Sequence, residues 1–182
     1  HRHTNFTNTD RQGMAEKITI NEDGSIPQVE MTSCGLNGGP LKDNGTYEAR
    51  IACHLYSKNG TTESLAEQQD ENHPAFTQEG EDRECDPNQY INNMRDGATA
   101  GYRYFNFEKA TRIAVTTRGT ANGEFVVRDE RGGKEVARIK IEASESWTTF
   151  TGDLKIYAGK KPLYFTYEGD GFADFKCFEL MV

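Results

Sequence analysis

The sequence predicts an all-β protein built as a β-sandwich. From residue 99 onwards, seven short segments of strand composition follow one another, with turn residues roughly every 8 to 12 positions. Apolar and polar residues alternate within several of these segments, which is the period of a half-buried strand. No part of the chain shows a sustained helical period. Jelly-roll and immunoglobulin-like sheets both fit this pattern, which does not choose between them.

The first half of the chain has fewer predicted strands and longer connections. Residues 15–20 and 26–31, "AEKITI" and "IPQVEM", are predicted strands, and "NEDGS" between them is a predicted turn. Residues 33–45 are rich in Gly, Asn and Pro, which indicates a linker. Residues 46–56, "TYEARIACHLY", are another predicted strand. Residues 57–86 are polar and acidic, and we expect a loop there that is longer than compact domains usually contain.

The second half supplies most of the predicted sandwich. Residues 124–141, "EFVVRDERGGKEVARIKI", form a predicted hairpin, because a Gly-Gly turn joins two segments of strand composition. Within it, polar Arg138 and Lys140 alternate with apolar neighbours. The period of two also predicts which side chains share an inner face: Ala137, Ile139 and Ile141 in one strand, and Leu163, Phe165 and Tyr167 in another.

The segment 99–107, "TAGYRYFNF", concentrates aromatic residues. Phe105 and Phe107 are expected to lie in the core. A strict period of two would then also turn Arg103 inward, so we expect a bulge or a strand end near residues 103–104. Tyr102 lies near the start of the strand, where strands meet loops, and is the candidate for a ring that faces outward.

Trp147 is the only tryptophan, and it lies among Ser, Thr and acidic residues in "EASESWTTFTGD". This setting predicts an exposed position at a sheet edge, whereas Phe150 is the better core candidate. An exposed ring in a polar setting suits a sugar, because the C–H face of a pyranose stacks on the ring while its hydroxyls bond polar groups. Each stack is worth about 1 kcal/mol by analogy with other ring contacts. Two rings and a few hydrogen bonds therefore give weak, reversible binding.

Composition and motifs argue against several functions. The chain has 29 acidic and 21 basic residues and a net charge of -8, which disfavours a nucleic-acid partner. No apolar run approaches the ~20 residues that a membrane helix needs. A nucleophile elbow, a phosphate-binding loop and an HExxH motif are all absent, so we expect no catalytic residues in this chain. The chain starts at His1 without Met or signal peptide, and we expect it to be a fragment of a longer protein.

The cysteines and an acidic run each allow two interpretations. The four cysteines are Cys34, Cys53, Cys85 and Cys177. None forms a CxxC pair, so zinc is not indicated, and disulfides and free buried thiols are equal alternatives. The acidic run from Glu79 to Asp86 predicts a solvated loop, with a calcium site as the alternative.

Four segments together resemble a family 6 carbohydrate-binding module: "PAFTQEGEDR", "NQYINNMRDGATAGYRYFNF", "SWTTFTGDL" and "DGFADFKCFEL". The resemblance runs in matching order from about Tyr47 to Val182 and is most specific at residues 88–107. Upstream, "HRHTN" and "RQGMAEKITINEDGSIPQVEMT" resemble the end of a family 43 glycoside hydrolase, where the last propeller blade gives way to an accessory module. The resemblance thus implies a catalytic-domain tail plus linker at residues 1–45 and a carbohydrate-binding module at residues 46–182.

The resemblance implies a jelly-roll sandwich of the galactose-binding type, with a sugar site in the loops at one end. In that family a Tyr and a Trp sandwich the sugar and an Asn anchors it. Tyr102 corresponds to the tyrosine, Trp147 to the tryptophan and Asp174 to the asparagine. An ionised Asp accepts hydrogen bonds from hydroxyls but donates none, so this replacement predicts an altered ligand preference.

A second departure from the family concerns its structural calcium. The family's first strand usually reads "EAE", and an acid near the last strand joins it around the ion. This chain has Arg50 in "EAR" and Lys176 at the later position. Two positive charges disfavour calcium there, and we expect them to pair with neighbouring carboxylates instead. No other cofactor is predicted.

The resemblance implies a non-catalytic module that targets an appended glycoside hydrolase to plant cell-wall polysaccharide of the xylan or arabinoxylan type. Its expected partners are a polysaccharide or oligosaccharide and the upstream catalytic domain of the same protein. A secreted bacterial protein is implied as well. The alternative is a structural sandwich that packs on the catalytic domain and stabilises it without binding sugar.

Overall fold

The structure is a computed structural model that describes residues 13–61, 72–79 and 88–182. The strands are β1 (Leu41–Lys42), β2 (Gly45–Glu48), β3 (His54–Tyr56), β4 (Ala75–Glu79), β5 (Asn88–Met94), β6 (Thr99–Phe107), β7 (Arg112–Gly119), β8 (Asn122–Arg128), β9 (Glu135–Ile141), β10 (Ser144–Asp153), β11 (Gly159–Asp170) and β12 (Ala173–Met181). A short 3-10 helix, Ala49–Ile51, separates β2 from β3. Within these described ranges, no helix has the length and apolar character needed to cross a membrane.

The strands form two sheets that pack face to face. Sheet one has the strand order β1-β6-β11-β8-β9, with β3 also paired to β6. Sheet two has the order β10-β7-β12-β5-β4, with β2 also paired to β12. One contiguous cluster of buried apolar side chains draws on both sheets. This two-layer arrangement confirms the predicted all-β sandwich.

Aromatic rings fill much of the space between the sheets. The ring of Tyr102 in sheet one lies 4.7 Å from that of Phe178 in sheet two, measured between centroids. Phe165 and Phe175 make a similar contact across the core at 5.5 Å. Phe105 is fully buried in the same layer, as is Phe107, which confirms the core prediction for both. Such ring pairs add to the hydrophobic free energy that holds the two sheets together.

An irregularity in β6 decides which of its rings face the core. Lys161 of β11 pairs with Phe105 and Leu163 pairs with Tyr102, so two steps along β11 match three steps along β6. This extra residue confirms the bulge expected near residues 103–104. Because the bulge changes the alternation, Tyr102 joins Phe105 and Phe107 on the inner face.

The structure corrects two predictions for residues 46–86, namely the strand at 46–56 and the loop at 57–86. Residues 46–56 do not form one strand, because β2 pairs with β12 in sheet two whereas β3 pairs with β6 in sheet one. The 3-10 helix between them carries the chain from one sheet to the other. The predicted loop at 57–86 contains β4, which pairs along its length with β5. Strands β4 and β5 were not predicted, because their Asn, Gln and Pro neighbours are typical of turns.

The hairpin and inner-face predictions for the second half are confirmed. Strands β8 and β9 pair in antiparallel register, with Phe125 opposite Ile139 and Val127 opposite Ala137. Gly132 in the connecting turn has a φ of 71°, a conformation that glycine adopts without strain. The side chains predicted to face inward are all buried: Ala137, Ile139, Ile141, Leu163, Phe165 and Tyr167.

Residues 15–20 and 26–31 adopt no strand structure among the described residues, so that prediction is wrong. The turn between them is present, since the backbone N–H of Asn21 donates to the carbonyl of Ser25 at 2.9 Å. These segments pair with no sheet among the described residues, and strand composition without a partner does not make a strand. Large apolar side chains in and next to these segments are exposed: Met14, Ile18, Ile20, Ile26, Val29 and Met31.

Three of the four cysteines can be placed. Cys34 and Cys53 are buried free thiols, and Cys177 is a partly buried free thiol. For these three, the structure agrees with the alternative of free thiols. Cys85 lies outside the described residues, as does the acidic run beyond Glu79.

Candidate functional site

Charged and aromatic side chains meet on the outer face of sheet two, near the end where β7 stops and β10 and β12 begin. These side chains alternate along their strands with core residues such as Val115 and Phe175. The Trp147 cluster is our name for this group: Glu79, Tyr90, Arg118, Trp147, Asp174 and Lys176. Five different strands contribute to it, so the order of strands in sheet two creates the cluster.

A bulge in β10 positions Trp147. The register between β10 and β7 shifts between Ser144 and Thr148, and Trp147 lies within this irregular stretch. The hydroxyl of Ser144 bonds to that of Thr148 at 2.9 Å and donates to the carbonyl of Ser146 at 2.8 Å, which holds the bulge. Because β10 is an edge strand of sheet two, the indole is partly exposed. The predicted edge position of Trp147 is therefore confirmed.

Arg118 lies against the two rings of the cluster. Its guanidinium carbon is 4.3 Å from the centroid of the Trp147 ring and 5.0 Å from that of Tyr90. The two rings are 5.2 Å apart between centroids and nearly perpendicular, at 72°. A cation this close to aromatic faces makes a favourable cation–π contact with each.

Hydrogen bonds fix the guanidinium in this position. Arg118 Nε donates to Asp174 Oδ2 at 3.1 Å, and Nη2 donates to Tyr90 Oη at 3.0 Å. Nη2 also pairs with a carboxylate oxygen of Glu79. Asp174 and Arg118 are directly opposite each other on β12 and β7, and the backbone N–H of Asn93 donates to Asp174 Oδ1 at 3.3 Å.

The two carboxylates of the cluster differ in their surroundings. The Asp174 side chain is only 13% exposed, and this burial raises its pKa although Arg118 and Asn93 donate hydrogen bonds to it. The Glu79 side chain is 43% exposed, and the hydrogen bond from Arg118 lowers its pKa. Asn88 Nδ2 also donates to Glu79, at 2.7 Å. Glu79 is thus the accessible carboxylate of the pair, and it is ionised at neutral pH.

Tyr102 lies away from this cluster, and the prediction that its ring faces outward is wrong. It is 0% exposed, and its hydroxyl donates to the backbone carbonyl of Ala49 at 3.0 Å. The bulge in β6 turns it into the core, where Phe175 and Phe178 surround it. The tyrosine that lies beside Trp147 is instead Tyr90 of β5.

Trp147 and Asp174 do come together, through Arg118, and their part in sugar binding stays a prediction. The residues that the sequence analysis missed are Glu79, Tyr90 and Arg118. One signal could have pointed to Arg118, because an acid in place of the expected Asn calls for a nearby cation. Tyr90 was hidden in a segment whose Asn residues indicated a turn.

The two cations at the family's calcium positions have different surroundings. Arg50 pairs with Glu48 and also donates through Nη1 to Gln89 Oε1 at 2.6 Å, as expected for a cation that pairs with its neighbours. Lys176 Nζ lies 5.3 Å from the Trp147 ring centroid, which brings a second cation to the Trp147 cluster. In the part of the chain that the structure describes, no three His, Cys, Asp or Glu side chains are arranged to hold a metal.

A shallow cleft of about 280 Å³ lies at the same end of the sandwich, between the turns that follow β3, β5 and β11. Its lining includes Lys58, Asn59, Arg95, Asp96 and Asp170. Lys58 and Asp96 form an ion pair across it at 3.3 Å. The cleft therefore presents donors and acceptors of both charges, of the kind that bond sugar hydroxyls.

The amino-acid sequence is similar to a segment of a larger enzyme. It is 43% identical over 182 residues to a protein of Thermoclostridium stercorarium named xylosidase/arabinosidase. The match covers 99% of this chain and 38% of that relative, so the chain spans well under half of the relative's length. No family model matches the chain.

Solved structures with the same fold include carbohydrate-binding modules. A β-1,3-glucan-binding family 6 module from Bacillus halodurans superposes with a TM-score of 0.63 at 14% identity, covering 79% of this chain and 100% of that one. A family 6 module from Clostridium stercorarium in complex with cellobiose gives 0.61 at 14% identity, covering 79% and 97%. A family 43 arabinoxylan arabinofuranohydrolase from Bacillus subtilis gives 0.57 at 16% identity, covering 91% of this chain and 33% of that one. The chain is thus a homologue of a segment of a xylosidase/arabinosidase, and it has the β-sandwich fold of family 6 carbohydrate-binding modules.

Proposed function

We propose that this chain is a non-catalytic carbohydrate-binding module of a longer glycoside hydrolase. In this proposal it directs the enzyme to plant cell-wall polysaccharide of the xylan or arabinoxylan type, and the longer protein is exported to reach that polymer. The observation that supports it best is the Trp147 cluster, a partly exposed indole with charged groups around it at one end of the sandwich. The name of the relative, xylosidase/arabinosidase, supports the choice of polysaccharide.

The cluster offers the two kinds of contact that a sugar needs. The partly exposed Trp147 ring supplies an apolar surface for the C–H groups of a pyranose. Around it, Lys176 and Arg118 are donors for sugar oxygens, and Asp174 is an acceptor for sugar hydroxyls.

The proposal includes a division of the chain into two parts. Residues 1–45 are the tail of the upstream catalytic domain plus a linker, and residues 46–182 are the module. Within the linker, β1 already pairs with β6 of the sandwich. Glu30 of the tail accepts hydrogen bonds from Arg103 Nη1 and Tyr104 Oη, each at 2.7 Å, so the tail is fixed to the outer face of sheet one. The exposed apolar side chains at 14–31 are then the surface on which the catalytic domain packs.

Affinity electrophoresis on soluble xylan and arabinoxylan tests the proposal. The module is expected to migrate more slowly in a gel that contains its polysaccharide, and Trp147→Ala should abolish the retardation. Tyr157→Ala is the matched control, since Tyr157 is an aromatic residue that is 75% exposed and lies outside the Trp147 cluster. Unchanged migration of the unmodified module across a panel of plant polysaccharides would contradict the proposal.

A second candidate function is a structural module that packs on the catalytic domain without binding sugar. Two observations favour it: Arg118 already contacts the Trp147 ring, and several apolar side chains of residues 14–31 are exposed. Under this function, no polysaccharide retards the module. Deleting residues 46–182 from the longer enzyme would instead lower its midpoint of thermal unfolding while the enzyme keeps its affinity for polymer.

A further inference from the structure

Arg118 occupies the position next to Trp147 that a stacked sugar would take. A pyranose and a guanidinium are both flat enough to lie over an indole, and the guanidinium carbon of Arg118 is 4.3 Å from the indole centroid. It also contacts Tyr90, the other ring of the cluster. A neutral sugar that binds between these two rings must therefore displace Arg118.

Displacing Arg118 is unfavourable because its bonds would break together. The guanidinium would leave Asp174, Glu79 and the Tyr90 hydroxyl at once. Asp174 is mostly buried, so its carboxylate would lose its cation in a poorly hydrated place. A neutral sugar brings no charge that replaces this cation. The cluster as built thus discriminates against neutral sugars that need both ring faces.

We propose that the Trp147 cluster recognises a sugar that carries a carboxylate, namely a uronic acid branch of the polysaccharide, and that Arg118 binds this carboxylate. The inference rests on the proposed function and specifies the part of the polysaccharide that the site takes. In the absence of ligand, the Glu79 carboxylate occupies the place of the sugar's acid group on Arg118. Binding exchanges Glu79 for the ligand and leaves the pair of Arg118 and Asp174 intact.

The geometry of the guanidinium leaves room for this exchange. Its Nε bonds to Asp174, so this pair uses the Nε side of the guanidinium, whereas Glu79 bonds to Nη2, which also bonds to Tyr90. A carboxylate at the Nη1 and Nη2 edge can therefore form the paired, charge-assisted bonds that arginine favours.

The Glu79 side chain can move away from Arg118 more easily than the Asp174 side chain can. Glu79 is the last residue of the edge strand β4, and its side chain is 43% exposed. Asp174 lies within the sheet at 13% exposure and is also held by the backbone N–H of Asn93. Lys176 adds a second cation beside Trp147, so the cluster keeps a net positive charge once the Glu79 side chain turns away.

Isothermal titration calorimetry with three matched ligands tests this inference. The ligands are a xylo-oligosaccharide with a glucuronic acid branch, the methyl ester of the same compound, and the unbranched xylo-oligosaccharide. The acid is expected to bind about ten- to a hundredfold more tightly than its ester, the range that corresponds to losing a charge-assisted hydrogen-bond pair. Added salt should weaken binding of the acid and leave binding of the ester nearly unchanged.

Two variants and a control assign the effect to Arg118. Glu79→Gln is expected to strengthen binding of the acid several-fold, because an amide competes less well for the guanidinium than a carboxylate does. Arg118→Met is expected to remove the preference for acid over ester. Arg138→Met is the control, since Arg138 makes comparable ion pairs with Glu124 and Glu135 elsewhere on the protein, and it should leave both affinities unchanged.

The possible outcomes separate this inference from the proposed function. Equal affinity for acid and ester overturns the inference and leaves carbohydrate binding in place. Weaker binding of the acid after Glu79→Gln also overturns it, because Glu79 would then belong to the ligand contact. Failure of all three ligands to bind, together with failure of every polysaccharide on the electrophoresis panel, overturns both.

Discussion

The rings around Tyr102 and the rings around Trp147 belong to the same sandwich but have opposite surroundings. Tyr102 touches other aromatic rings, and its hydroxyl donates to a backbone carbonyl. Trp147 touches Tyr90, Arg118 and Lys176, and its cluster contains two carboxylates. The first group holds the two sheets together, whereas the second presents charge and an exposed ring at an edge.

The comparison shows that two bulges determine whether an aromatic ring of this protein lies in the core or at a sheet edge. A bulge in β6 turns Tyr102 into the core, and a bulge in β10 places Trp147 at the edge of sheet two. Residue type is a poor guide to either outcome, because tyrosine occurs both inside the core and next to Trp147. Substitutions in the two groups should therefore separate stability from ligand binding.

The largest expected effect on stability is that of Tyr102→Ala. Removing a fully buried ring leaves a cavity, and we expect a loss of about 3–5 kcal/mol in the free energy of unfolding. Urea unfolding followed by circular dichroism measures this loss. Tyr102→Phe keeps the ring and loses only the bond to Ala49, so it should cost about 1 kcal/mol. If Tyr102→Ala lost no more free energy of unfolding than Tyr102→Phe, the core position of this ring would be contradicted.

A structural carboxylate at the opposite end of the sandwich should show the next largest effect. Burial opposes ionisation of Asp43, but backbone N–H groups of Lys109, Glu108 and Ala110 donate to it at 2.7–2.9 Å and together lower its pKa. Asp43→Ala should therefore cost about 1–3 kcal/mol at neutral pH.

The pH dependence of this effect has a definite sign. A lowered pKa means that the ionised carboxylate stabilises the fold above the ordinary value of 3.8, and that this contribution disappears as the pH falls through the folded value. Unfolding of the unmodified protein and of Asp43→Asn, compared at neutral pH and in acid, measures it. A difference between the two proteins that grows in acid would contradict the assignment.

Trp147→Ala should have a small effect on stability and a large one on binding. The indole is partly exposed at an edge, and its loss should cost about 1 kcal/mol or less. The same change should remove all retardation by polysaccharide. Thermal unfolding and affinity electrophoresis on one preparation measure both effects. A variant that unfolds like Tyr102→Ala would place Trp147 in the core group.

Glu79→Gln should have the smallest effect on stability. Its bond to Arg118 is an ion pair whose Glu79 side chain is 43% exposed, and ion pairs that water reaches contribute about 0–1 kcal/mol. Chemical unfolding of the variant measures this change. A loss as large as that for Asp43→Ala would show that Glu79 is a fixed structural partner of Arg118 and not an exchangeable one.

Much of the fold could be predicted from the sequence because its signals are local. The alternation in 124–141 and in the strand that contains Leu163 depends only on neighbouring residues, and the structure confirms it. The split of residues 46–56 between two sheets depends on strand order, which is not a local property. Strands β4 and β5 were missed because the Asn, Gln and Pro residues in and beside them are typical of turns.

The candidate site could be predicted only in part. Trp147 and Asp174 were identified from their setting and from the family resemblance, and the structure brings them together. The contact between Arg118 and Asp174 joins residues 56 positions apart and depends on the pairing of β7 with β12. Tyr102 faces the core because of the bulge in β6, and the sequence predicts that bulge but not which ring it turns inward.

The central claim is that carbohydrate binds at the Trp147 cluster, and the single tryptophan allows a direct test. A two-dimensional ¹⁵N–¹H NMR spectrum of the module contains one indole N–H signal, which reports on Trp147 alone. The account predicts that this signal moves in a saturable way when the xylo-oligosaccharide with a uronic acid branch is added. An indole signal that stays fixed while that ligand binds and moves other resonances would contradict the account.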